Sequence, residues 1–125
     1  MKQMITKEIE FDAAHSLGNG YIGKCANLHG HRYKLQITIG LNEGQNLDEF
    51  GFVMDFGELK KIWQEEFDEL YDHKFLNESL GIQTTAENMS LKLFNDLSKR
   101  INNDRIRVVK IRLYETPSSY AEVDL

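Results

Sequence analysis

The chain of 125 residues has one cysteine, Cys25, so an internal disulfide is excluded outright. It has one proline, Pro117, and neither a low-complexity stretch nor an internal repeat, so no linker divides it. No uninterrupted apolar run approaches the roughly 20 residues of a membrane span. The first residues, MKQMITKEIEF, alternate and carry charge, unlike the apolar core of a secretory signal. Bases are in deficit as well: 15 Lys and Arg stand against 20 Asp and Glu, a formal net charge of -5. An acidic surface repels a phosphate backbone, so nucleic acid is not the expected partner. What remains is a single domain, residues 1–125, of globular composition with 41% hydrophobic and 28% charged residues. A domain of this size buries about two-thirds of its unfolded surface, enough to fold without a covalent staple. A reducing cytoplasm is the expected setting.

Hydrophobic periodicity supplies the elements. Residues 4–14 read as a strand, with Ile5, Ile9, Phe11 and Ala13 on one face. Glycines and asparagines over 16–28 mark a loop. From 29 to 41 the alternation is clean: His29, His31, Tyr33, Leu35, Ile37, Ile39 and Leu41 share a face that begins with two histidines. Asp55 can cap a helix in which Phe56, Leu59, Ile62, Trp63, Phe67 and Leu70 recur to about Tyr71. Thr84-Thr85-Ala86-Glu87 reads as a capping box, followed by the stripe Met89, Leu93, Leu97 and Ile101. Two further strands are predicted at 105–115, with Val109, Ile111 and Leu113 in phase, and at about 119–124. The order ββααββ predicts an α+β layer fold: an antiparallel four-stranded sheet with two helices on one face.

The four histidines carry the chemistry. In His29-Gly30-His31 the two imidazoles project from one strand face roughly 6.6 Å apart and can converge on one ion. His15 ends the preceding strand in the same parity, so a hairpin sets it beside them. Three neutral imidazoles leave a tetrahedral Zn²⁺ one open position, the pattern of a catalytic site; Fe²⁺, Co²⁺ or Ni²⁺ also suit such ligands. Cys25 lies four residues before His29 in the loop, where a nearby cation would make its thiolate available as a base. The competing reading is a small buried apolar residue. Asp72 and His73 end the first helix and can interact only if the helix has stopped there, the competing reading being a histidine favoured by the helix dipole. Glu115 shares the parity of Leu113; it either accepts two N–H donors of a planar heterocycle or turns to solvent.

Phe11-Asp12-Ala13-Ala14-His15, Cys25-x-x-x-His29-Gly30-His31, Asp72-His73, Thr84-Thr85-Ala86-Glu87-Asn88 and Tyr114-Glu115-Thr116, in this order and spacing, resemble the 6-pyruvoyltetrahydropterin synthase / 6-carboxytetrahydropterin synthase family. The resemblance runs from about residue 4 to 124, and the short gap between Cys25 and His29 resembles the bacterial 6-carboxy branch. It implies the tunnelling fold, a homo-oligomer (trimer or hexamer), and active sites between subunits. It implies zinc on His15, His29 and His31, with Cys25 as proton-transferring base and Asp72 and His73 as its relay. Glu115 would anchor the pterin, helped by Thr84 and Thr85. The implied substrate is 7,8-dihydroneopterin triphosphate, converted to 6-carboxy-5,6,7,8-tetrahydropterin, acetaldehyde and triphosphate on the way to queuosine. A 6-pyruvoyl product, or a zinc-stabilised pterin-binding protein without turnover, are the alternatives. Lys24, Arg32 and Lys34 are candidates for the triphosphate.

Overall fold

In the computed structural model residues 1–18 and 20–125 are described; Asn19, within the loop expected at 16–28, lies outside them. Strand β1 (Met4–His15) pairs antiparallel with β2 (His29–Leu41) in one unbroken register, from Met4 opposite Gly40 to His15 opposite His29. Strands β3 (Ile106–Thr116) and β4 (Ser119–Asp124) follow the same antiparallel pattern and complete a sheet ordered β1-β2-β3-β4. The alternation in sequence becomes a division between two faces. Phe11 and Ala13 of β1 and Tyr33, Leu35, Ile37 and Ile39 of β2 are buried under the helices. The opposite face is laced by polar side chains: Arg32 meets Glu10 and Asp12, Gln36 donates to Glu8, and Arg112 meets Glu122.

The phase expected for Val109 does not hold. A bulge opposite Thr38 and Ile39 inserts one extra residue in β3, so Val108 and Ile106 face the core while Val109 turns beside Gly40. One added residue reverses the face of everything beyond it, which a parity count cannot anticipate.

The Asp55 carboxylate accepts the Gly57 N–H at 2.7 Å and starts α1 (Phe56–Ile62). A π-helical stretch, Trp63–Phe67, joins it to α2 (Asp68–Tyr71), so the expected helix reaches Tyr71 with one wide turn in its middle. Trp63, Phe67 and Tyr71 are all buried, and with Phe11 and Tyr33 they form an aromatic stack on the sheet. A short helix α3 (Leu76–Leu80) was not expected; its five residues are too few to display a period, and Gly81 ends it at φ 65°. Helix α4 (Ala86–Ile101) buries Met89, Leu93, Leu97 and Ile101, as the stripe predicts. Its cap is Thr85, whose hydroxyl accepts the Asn88 N–H at 3.1 Å, so the Thr84–Glu87 box does not form and Glu87 stays exposed. Helix α4 packs on β3 and β4, and α1, α2 and α3 pack on β1. Among the described residues no helix is long and apolar enough to cross a membrane.

Candidate metal centre and active site

The β1–β2 register sets His15 directly opposite His29, and His31 two pairs further along, on the same face. Their rings meet edge to face, with centroids 4.6, 4.7 and 5.1 Å apart. One nitrogen from each ring lies within 4.8 Å of the other two. All three Nε2 atoms are buried and have no hydrogen-bond partner among the described residues. Three orphaned polar atoms converging at one point would be costly in a folded core unless something binds there. The Nδ1 sides are already engaged: His15 Nδ1–H donates to the Thr84 carbonyl at 2.9 Å, and His29 Nδ1–H donates to the Asn27 carbonyl at 2.7 Å. A proton held on Nδ1 leaves the lone pair on Nε2, the arrangement a metal-ligating imidazole requires. Burial lowers the pKa of both His15 and His31 below 6.5, against the opposing pull of the Thr84 carbonyl on His15 and of Glu115 on both. Neutral imidazoles at neutral pH result. The donor set therefore fits zinc or another borderline divalent ion.

Glu115 faces this cluster, its Oε1 3.3 Å from His31 Nε2, an ion-pair distance without the alignment of a hydrogen bond. Its side chain retains 26% of its exposure, so an incoming ligand can reach it. Of the two orientations the sequence leaves open for Glu115, the structure has the one toward the histidines.

Asp72 and His73 stand at the edge of β1. Helix α2 ends at Tyr71, Asp72 is extended, and His73 adopts the left-handed region at φ 57°, uncommon for a side chain larger than glycine. The strain is held by pairing to the strand: His73 N–H donates to the Asp12 carbonyl at 2.6 Å, Ala14 N–H to the Lys74 carbonyl at 3.0 Å, and Asp12 N–H to Asp72 Oδ1. With the helix stopped, His73 Nδ1 reaches Asp72 Oδ2 at 2.8 Å. The Asp72 carboxylate raises the His73 pKa, and that hydrogen bond in turn lowers the Asp72 pKa. A groove of about 580 Å³ is lined by Asp12, Ala14, Gly30, His31, Arg32 and His73 along with their neighbours.

Cys25 lies in a 3₁₀ turn, Lys24–Ala26, whose position is fixed by a 2.7 Å hydrogen bond from Leu17 N–H to its carbonyl. Among the described residues no hydrogen bond joins Cys25 to Asp72 or His73. Thr84 is fully buried and bound to His15, and Thr85 caps α4, so both serve the frame of the site within one chain. Arg32 is paired with Glu10 and Asp12, and Lys34 lies over the Tyr114 ring, both on the face away from the histidines; Lys24 is exposed on the 3₁₀ turn. Periodicity gave no sign of Asp12, Asn27 and Asn77, because they act through backbone groups or from a short helix.

The fold and the site define an α+β protein with a three-imidazole centre at the end of a β-hairpin. The chain belongs to the 6-pyruvoyl tetrahydropterin synthase family, whose sequence model matches residues 4–125. It is 37% identical to the 6-carboxy-5,6,7,8-tetrahydropterin synthase of Rickettsia bellii over 94% of this chain and 97% of that one. The protein of the same name from Haemophilus influenzae is 34% identical, with 94% and 96% covered. The fold matches the structure of Caenorhabditis elegans 6-pyruvoyl tetrahydropterin synthase with a TM-score of 0.82 at 24% identity, covering 100% of this chain and 96% of that one.

Proposed function

We propose that the protein is a zinc-dependent lyase that converts 7,8-dihydroneopterin triphosphate and one water to 6-carboxy-5,6,7,8-tetrahydropterin, releasing acetaldehyde and triphosphate, in the cytoplasmic route to queuosine. The observation that carries the reading is the convergence of three buried, unpartnered Nε2 atoms beside a carboxylate. The names of the curated relatives support the product.

Zinc held by His15, His29 and His31 would supply Lewis acidity to the oxygens of the substrate side chain and so acidify the adjacent C–H. Glu115 accepts two N–H donors of the pterin and fixes the ring relative to the histidines, the proximity contribution. Cys25 takes and returns the carbon-bound proton. His73, its imidazole held by Asp72 Oδ2, serves as the second proton carrier, and the raised pKa keeps it able to donate near neutrality. Cys25 and His73 occupy separate places in one chain, and a site shared by two subunits of a trimer or hexamer would let them meet.

The reading is tested by stripping the metal with a chelator, then assaying turnover before and after zinc is restored. Turnover is expected to vanish and return with zinc, and a Cys25→Ala variant to bind pterin while losing at least 100-fold in rate, about the lower bound for removing an acid–base group. Undiminished turnover in the stripped protein would overturn the reading, and undiminished turnover in Cys25→Ala would remove Cys25 from it.

A further inference from the structure

His15 differs from the other two cluster histidines in being almost completely buried, at 1% exposure. Its Nδ1–H is shared between two acceptors of one residue, the Thr84 carbonyl at 2.9 Å and the Thr84 hydroxyl oxygen at 3.2 Å. That hydroxyl in turn donates to Asn77 Oδ1 at 3.3 Å. Asn77 also accepts the Ser16 N–H at Oδ1, 3.0 Å, and donates Nδ2–H to the Ser16 carbonyl at 2.8 Å. Ser16 follows His15 directly, so the Asn77 amide grips the backbone on one side of the imidazole while holding the hydroxyl that faces the other.

The network admits one proton arrangement. Ser16 N–H requires an acceptor and Ser16 C=O a donor, which fixes the orientation of the Asn77 amide. Oδ1 has no proton to give, so Thr84 Oγ1 must donate to it, and the lone pairs of that hydroxyl then face His15. His15 must donate in return, placing its proton on Nδ1 and its lone pair on Nε2. We infer that Asn77 and Thr84 are positioning residues that set the tautomer and aim of His15, so that the metal centre is built from α3 and the start of α4 as well as from the hairpin. The inference rests on the reading of His15, His29 and His31 as metal ligands. Outer partners of this kind are worth about 10- to 100-fold in metal affinity.

The test combines two measurements on the full chain: the His15 tautomer by long-range ¹H–¹⁵N NMR of the metal-free protein, and Co²⁺ affinity by chelator competition. Asn77→Leu removes the amide. Thr84→Val puts a methyl 3.2 Å from Nδ1, inside the roughly 3.5–4.0 Å of ordinary carbon contact, so the ring must turn. Both variants are expected to bind Co²⁺ about 10- to 100-fold more weakly, and Thr84→Val, in which the ring turns away from the Thr84 carbonyl, also to show His15 as a mixture of tautomers. Thr84→Ser, which keeps the hydroxyl, is expected to match the unaltered chain. Asn27→Ala is the control, because His29 is held by the Asn27 backbone carbonyl and not by its side chain. A network that merely stabilises the fold would lower the unfolding temperature and leave tautomer and affinity alone, which would overturn the inference. Should Asn77→Leu fail to fold, Thr84→Val and its Thr84→Ser rescue decide. Should the unaltered chain bind no Co²⁺, the metal reading falls, and a mixed His15 tautomer in that same chain would separately refute the network.

Discussion

Burial and a neighbouring carboxylate pull the histidines of this protein in opposite directions. His15 and His31 have lowered pKa values, first through desolvation, and so stay neutral at neutral pH. In the metal-free chain above pH 6.5 these groups are neutral both folded and unfolded. As pH falls through 6.5 the unfolded chain takes up protons that the folded chain resists, so stability declines. Urea titrations of metal-free protein are therefore expected to show stability dropping below pH 6.5, and a flat profile from 7 to 5 would contradict the burial argument. His73 behaves conversely. Its raised pKa gives a stabilisation present below 6.5 and lost as pH rises through the folded value; the lowered pKa of Asp72 gives one present above 3.8 and lost as pH falls through its folded value. The pair is thus intact between those limits. NMR titration is expected to find His73 titrating above 6.5 and to return it to an ordinary value in Asp72→Asn. An unchanged midpoint in that variant would separate the two residues.

At the scale of elements, the β1–β2 hairpin places four parts of the site: His15, His29, His31 and, through the edge of β1, the Asp72–His73 pair. The three histidines were legible in the sequence because the alternation in β1 and β2 runs without interruption and parity alone sets them on one face; the docking of Asp72 and His73 on β1 was not, since it runs through backbone groups. The bulge at Val109 was not legible, since one inserted residue leaves the composition of β3 unchanged. Helix α3 and Asn77 escaped for a related reason, a single turn being too short to carry a period. At the start of α4 two threonines compete for the cap, and only burial of Thr84 decides for Thr85. Thr85→Ala is accordingly expected to cost about 0.5–2 kcal/mol by denaturant unfolding, with Thr85→Ser close to neutral. No loss in Thr85→Ala would mean the cap has no energetic role. Gly30 offers a second check on the hairpin. A Cβ there would meet only the Ala13 carbonyl at 3.6 Å, an ordinary contact. Gly30→Ala is expected to fold and bind metal normally, so a fall in turnover would report on what enters the groove above it.

For the whole molecule, one chain carries every candidate group without bringing them all together. His31 and Glu115 stand together and His73 pairs with Asp72 at the edge of β1, while Cys25 is held apart in its 3₁₀ turn. The sheet ends in two edge strands, β1 and β4, which other copies could extend. If sites are shared, mixing inactive Cys25→Ala and His73→Ala chains after subunit exchange should restore part of the activity. A mixture that stays inactive would assign both residues to one chain.

The activity proposed for this site is cleavage of the side chain of 7,8-dihydroneopterin triphosphate. Its most direct test is mass spectrometry of the products formed from that compound by zinc-loaded protein under anaerobic conditions. The expected products are 6-carboxy-5,6,7,8-tetrahydropterin and acetaldehyde. A 6-pyruvoyl product would keep the site and contradict the carbon–carbon cleavage, and no product from protein with zinc bound would contradict the assignment as an enzyme of this substrate.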